Sequence, residues 1–156
     1  KFIVATNINK AFGTYLRTGS TVETRAIPSL SSAMDISIPN NLIRLKYLFN
    51  NDNKSMCKKT VSYSITDTET LNTISSVYKK TNYMMDPHTS VGYTAIEKYN
   101  SILPTILLST AHPSKFPEVM KQVNLYPDIP LRLLNVLNKE SYKIKKWINT
   151  FGKNIT

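Results

Sequence analysis

A single cysteine, Cys57, is the first limit on this chain of 156 residues. With no second thiol, neither an internal disulfide nor a multi-cysteine metal cluster can form. A free thiol suits a reducing, cytoplasmic setting. Cys57 lies between Met56 and Lys58-Lys59, and no histidine lies near it in sequence to make a catalytic pair, so the plain free thiol is the preferred reading. Histidine is also scarce: His88 and His112 are the whole supply. Even with Asp35 or Asp86 counted, no spacing resembles a metal motif, so no metal is expected. Glycine is rare too. Gly13, Gly19, Gly92 and Gly152 stand isolated, which excludes a glycine-rich phosphate loop. No serine sits in a Gly-x-Ser-x-Gly turn. The apolar stretch from Ile102 to Leu108 carries Pro104 and falls far short of the roughly 20 residues a membrane helix needs, so no membrane partner is expected.

Arginine is the last shortage. Only Arg17, Arg25, Arg44 and Arg132 occur, although the formal charge is +10. The excess is therefore lysine, scattered apart from a cluster at Lys139, Lys143, Lys145 and Lys146. Base and phosphate recognition usually rely on arginine. A solvated helix face accounts better for the lysines, and no nucleic-acid partner is expected. A basic balance also favours an anionic, phosphorylated substrate.

What is present suits a globular α/β domain or a piece of one. Hydrophobic residues make up 41% and charged residues 19% of the chain, a composition unlike that of disordered chains. Lys1 opens directly into Phe2-Ile3-Val4-Ala5, which is too short and wrongly flanked for a signal peptide. Such a start is expected of a piece of a longer chain. Short strands alternate with helices, as in an α/β layer architecture. Phe2 to Thr6 reads as a buried strand. Asn9 is placed to cap a helix carrying Phe12, Tyr15 and Leu16, which stops at Gly19. Residues 20–39 read as loop. Asn40 or Asn41 caps a helix with Leu42, Leu45, Leu48 and Phe49 on one face, followed by a turn over Asn50 to Lys54. Val61, Tyr63 and Ile65 alternate as a strand. Thr66 to Glu69 is a capping box ahead of Leu71, Ile74, Val77 and Tyr78. Thr105 to Thr110 is the strongest candidate for a buried strand. Helices follow through Val119, Met120 and Val123, then from Pro130 through Leu137, and finally a Lys-rich helix over about 140–151.

Two segments carry the chemistry. Asp86-Pro87-His88-Thr89-Ser90-Val91-Gly92 gathers an acid, a helix-starting proline, a histidine and a glycine. Free N–H groups at that helix start would face an anion; the plain structural alternative is that Asp86 simply caps those amides. Ser109-Thr110-Ala111-His112-Pro113-Ser114-Lys115-Phe116 places a hydroxyl pair where the candidate strand ends. Ligands of open α/β sheets sit at such strand ends, although the Thr110 hydroxyl could equally terminate the strand or cap the next helix.

These two segments, in this order, resemble the Asp-Pro-His-Thr-x-x-Gly and Thr-Ala-His-Pro-x-Lys-Phe stretches of the threonine synthases. The resemblance is collinear over most of the chain. It takes in Val4 to Asn9, Phe12 to Gly19, Met34-Asp35-Ile36, Pro39, and Asn41 to Leu45. Lys10 and Ser32 depart from it, and residues 50–65 have no clear counterpart. It implies part of a three-layer, open and mostly parallel sheet flanked by helices, the large domain of a fold type II pyridoxal-phosphate (PLP) enzyme. Residues 1–126 would be the C-terminal part of the PLP-binding domain and 127–156 a helical extension. It implies conversion of O-phospho-L-homoserine and water to L-threonine and phosphate. PLP serves there as an electron sink. By resemblance Thr110 hydrogen-bonds the pyridine nitrogen, Asn7 and Asn9 run near the ring, and Asp86 and His88 line the active-site side of their helix. The family's Schiff-base lysine and phosphate-binding loop have no counterpart here. The chain is thus expected to be a C-terminal fragment, inactive alone. Its partner would be the missing N-terminal part, and its truncated surface would self-associate. The alternative is a non-catalytic, threonine synthase-like binding or interaction module.

Overall fold

The apolar, β-branched segment Phe2–Thr6 forms strand β1, and Thr60–Ser64 forms β2. They pair in parallel, with Phe2 opposite Thr60 and Thr6 opposite Ser64. Parallel neighbours require a crossover connection. Here it carries three helices, α1 (Ala11–Thr18), α2 (Leu42–Leu48) and α3 (Asn53–Lys59). After β2 come α4 (Asp67–Thr81), α5 (Pro87–Tyr99), α6 (Pro117–Gln122) and α7 (Leu131–Leu137). The structure, a computed structural model, describes residues 1–22, 25–137 and 139. The Lys-rich helix expected over about 140–151 lies outside the described residues.

Strand periodicity builds three layers. Successive side chains of a strand point to opposite faces. Val4 joins Phe12, Tyr15, Leu16, Leu42 and Met56 on the face covered by α1, α2 and α3. Ile3 and Ala5, with Tyr63, turn to the other face and meet Val91 and Ala95 of α5. Gly13 lets α1 lie close on β2, since a Cβ there would stand 3.3 Å from the Ser62 Oγ. A further core joins Ile74 and Val77 of α4 to Val119 and Met120 of α6. The α/β class with helices on both faces of a parallel sheet is therefore observed.

Local sequence sets most helix ends. The capping box of α4 is complete: the Thr66 hydroxyl accepts from Glu69 N–H, and the Glu69 carboxylate accepts from Thr66 N–H. Gly19 ends α1 in the left-handed region at φ 72°. Asparagine does the same work elsewhere: Asn82 closes α4 at φ 58° and Asn100 closes α5 at φ 49°.

Several expectations are corrected. Asn9 does not cap α1; Lys10 holds that position with no side-chain bond, because the Asn9 side chain is engaged by Ile27 and Asp35. Asn41 stands at the start of α2 without a side-chain bond. The turn expected over Asn50 to Lys54 shortens, since Asp52 accepts from Lys54 and Ser55 N–H and opens α3, a helix unforeseen in the sequence. Cys57 lies on that helix, half-buried, with its Sγ 3.1 Å from the Leu16 carbonyl. The strand β1 is half-buried rather than buried, and Phe2 is exposed.

The largest correction concerns Thr105 to Thr110. Among the described residues the run belongs to no ladder, and Ile106 is 89% exposed. Apolar character alone does not make a strand; a partner must satisfy the backbone. Among the described residues the sheet has two strands, so β1 keeps one unpaired edge. Between that edge and the 103–108 run lies a cleft of about 570 Å³, walled by Phe2, Ile3, Ile96 and Leu107. Ile102, Leu103, Ile106 and Leu108 are exposed beside it.

Two outcomes follow from this architecture. Unpaired strand edges and contiguous exposed apolar side chains favour association, so light scattering on the isolated chain should show dimers or larger species that grow with concentration. A monodisperse monomer at high concentration contradicts this. The second concerns pH. Lys98 Nζ of α5 lies 2.6 Å from Glu69 Oε1 of α4. That contact first, and Thr66 N–H second, hold the Glu69 carboxyl well below its ordinary 4.5, at about 2. Because the folded value is depressed, the stabilisation is complete above about pH 4.5 and is lost as pH falls toward 2. Both side chains are over a third exposed, so the effect is modest. Urea unfolding of Glu69→Gln between pH 6 and 2.5 should show a shallower decline than the parent chain.

Candidate functional site

The first site segment is built around one carboxylate. Asp86, 1% exposed, stands at the N-cap of α5, with Pro87 at the first helical position. Its Oδ1 accepts from His88 N–H at 2.9 Å, Thr89 N–H at 3.4 Å and His88 Nδ1 at 3.1 Å. Its Oδ2 accepts from the Thr89 hydroxyl. The capping alternative for Asp86 is thus realised in full. His88 is equally committed. Its Nε2 accepts from Ala33 N–H at 3.2 Å, which leaves Nδ1 as the protonated nitrogen that donates to Asp86. Its ring packs on Phe116, with centroids 4.9 Å apart and planes tilted by 52°.

The second segment is seated on the first. Gly92 of α5 faces Leu107 so closely that a Cβ there would stand 2.6 Å from the Leu107 Cδ1. Ser109 Oγ lies 3.2 Å from Thr89 Oγ1. Phe116 meets His88. The two motifs, separate in sequence, form one unit. Thr110 sits between these joints, exposed, with no hydrogen bond among the described residues. It borders two clefts. One is the 570 Å³ cleft beside β1, which His88 also lines; the other, of about 760 Å³, is lined by His112, Lys115, Tyr126 and Arg132.

The asparagine loop is placed differently. Asn7, 1% exposed, donates through Nδ2 to Asp35 Oδ1 at 2.7 Å and to Ser29 Oγ at 2.6 Å. Its Oδ1 accepts from Asn9 N–H at 2.9 Å. Asn9 Nδ2 reaches Ile27 O at 2.8 Å and Asp35 Oδ1 at 3.2 Å. Asp35 Oδ1 also accepts from the Ser29 hydroxyl, and its Oδ2 from Ser29 N–H. This network fastens the loop over residues 25–35 to the end of β1. Asn9 lines a separate cleft of about 360 Å³ with Phe12, Met34 and Leu42. The structure therefore brings His88 and Thr110 to one cleft, places Asp86 behind them, and keeps Asn7 and Asn9 off both clefts of Thr110. Sequence reasoning missed the tie through Thr89 and Ser109 and the central place of Asp35. Two partners of Asp35, Asn9 and Asn7, lie 26 and 28 residues away, beyond any local signal. Among the described residues no three of His, Cys, Asp and Glu converge as metal ligands.

A parallel strand pair between helical layers, with a hydroxyl-bearing run beside its open edge, places the chain among α/β layer proteins. The comparisons give the particular family. The profile described as "Threonine synthase, C-terminal" matches residues 89–146. The threonine synthase of Escherichia coli (strain K12) is 34% identical over 124 residues, which is 79% of this chain and 28% of that protein. A crystal structure of threonine synthase from Escherichia coli matches with a TM-score of 0.78 at 30% identity, covering 88% of this chain and 32% of that one. A PLP-bound threonine synthase from Brucella melitensis matches with a TM-score of 0.78 at 27% identity, covering 88% and 35%. The chain belongs to the threonine synthase family and spans less than a third of the length of this curated relative.

The loop network yields a direct test. Asp35→Ala removes the shared acceptor of Asn7, Asn9 and Ser29 and leaves buried Asn7 short of a partner. It should destabilise the chain by about 1–3 kcal/mol in urea unfolding and speed proteolysis within 20–39. An unchanged cleavage pattern contradicts this.

Proposed function

We propose that this chain is the C-terminal portion of a threonine synthase. The complete enzyme converts O-phospho-L-homoserine and water to L-threonine and phosphate, as a PLP-dependent lyase acting on a phosphate ester. The observation that carries this reading is the placement of Thr110: an unbonded hydroxyl on the wall of a cleft, fixed by the joined motifs on α5.

The residues present fit part of the cofactor. A neutral hydroxyl on a cleft wall suits the edge of a pyridine ring. Thr110 would hold the ring nitrogen, and His88, engaged at both nitrogens, would shape the wall rather than transfer protons. Asp86 would act from behind, through the helix start. The Asn7–Asn9 loop would reach the ring only along the end of β1. When bound, PLP supplies an electron sink for replacement chemistry. Gly13 is filled by Ser62 and Gly92 by Leu107, so neither opens a cradle for the phosphate. The phosphate loop and the cofactor's lysine would come from the remainder of the enzyme, which makes the isolated chain inactive.

PLP added to the isolated chain should give no stoichiometric, lysine-specific absorbance band, whereas the complete protein should. Such a band in the isolated chain overturns the claim of inactivity. In the complete protein Thr110→Val should weaken cofactor binding about tenfold, the loss of one hydrogen bond worth about 1.4 kcal/mol. Equal affinity rejects the assigned contact.

A further inference from the structure

Among the described residues the run bearing Thr110 is held by no ladder, so something else fixes its end. Three joints do so, in reversed order along α5: His88 with Phe116, Thr89 with Ser109, and Gly92 with Leu107. The middle joint is the polar one and lies next to Thr110.

The Thr89 hydroxyl is the donor on both sides, shared between the Asp86 carboxylate and the Ser109 oxygen at 3.2 Å. The link runs from Asp86 through Thr89 to Ser109. Asp86 and Thr89 are 1% and 3% exposed, while Ser109 is exposed. The relay therefore reaches from a buried, fully bonded helix cap to the surface of the cleft. Thr89 is unsuited to touching a ligand itself, because its oxygen is buried and engaged from both sides.

We propose that Thr89 is a positioning residue for the cofactor contact: with Asp86 behind it, it holds Ser109 and so fixes the neighbouring Thr110 on the cleft wall. This rests on the reading that Thr110 meets the cofactor ring. It gives Asp86 a definite role, that of anchor rather than catalytic residue.

The test uses the complete, PLP-loaded protein with the variants Ser109→Ala, Thr89→Val, Thr89→Ser, Thr110→Val and the double variant Ser109→Ala/Thr89→Val. Amide exchange over residues 107–112 reads the clamp. Cofactor affinity, together with the pH titration of the cofactor's absorbance band, reads the contact. Ser109→Ala leaves the Asp86–Thr89 bond intact, so its urea midpoint should stay unchanged while exchange over 107–112 rises and cofactor affinity falls about three- to tenfold. Thr89→Val should lose as much affinity and also unfold earlier, because it leaves Asp86 short of a donor. Thr89→Ser should restore both. The double variant should lose no more affinity than Thr89→Val alone, because the two residues act as one link. The band's titration should move in the same direction in Ser109→Ala as in Thr110→Val, a response that a purely structural role would not produce. Unchanged exchange and affinity in Ser109→Ala and Thr89→Val overturn the proposal. Additive losses in the double variant overturn it as well, since Ser109 would then act without Thr89. If Thr110→Val has no effect while exchange still rises in Ser109→Ala, the cofactor contact fails and the joint is reduced to a structural lock.

Discussion

The carboxylate of Asp86 is the contact on which the site depends. It lies at the positive end of α5, out of water, and all its bonds are made within the residues from 86 to 89. A buried carboxylate without donors is costly, and one that receives several N–H and O–H bonds is not. Asp86 thereby fixes where α5 begins and which way His88 and Thr89 leave it. Those two side chains in turn reach Ala33, Phe116 and Ser109. One local cap thus spreads into contacts across three segments of the chain.

Much of the layer order was legible in the sequence, because it rests on local rules. The apolar, β-branched run of Phe2–Thr6, the alternation of Val61, Tyr63 and Ile65, the capping box at Thr66 and the Asp-Pro start of α5 each act within a few residues. The helix α3 was missed although Asp52 and Ser55 carry a cap signal, because the surrounding asparagines read as a turn. The run from Thr105 to Thr110 was misread for a different reason. Its composition reports what a strand interior requires, whereas a strand also requires a neighbour to bond with, and composition carries no record of one.

The candidate site divides along the same line. Asp86, His88 and Thr110 stood out because their motifs are short and dense. The manner in which the motifs meet did not, since Gly92 under Leu107 and Thr89 beside Ser109 are contacts across 15 and 20 residues. Gly92 shows how such contacts leave a trace: a glycine in mid-helix costs about 1 kcal/mol against alanine, and the close approach of Leu107 supplies the reason for it. The Asn7–Asp35 network left no comparable trace. Asparagine, serine and aspartate in a loop look alike whether they face water or each other.

The left-handed asparagines that close α4 and α5 bear on the reversibility of folding more than on the folded state. Glycine at a helix end tolerates the positive φ without strain, but it also gives the unfolded chain its widest range of backbone conformations. Asn82 and Asn100 reach the same geometry from a narrower starting ensemble. A chain with only four glycines therefore surrenders less backbone entropy at its turns than one that ended each helix with glycine. For a chain whose sheet has an open edge, that smaller entropic loss helps to hold the layers together before anything covers the edge.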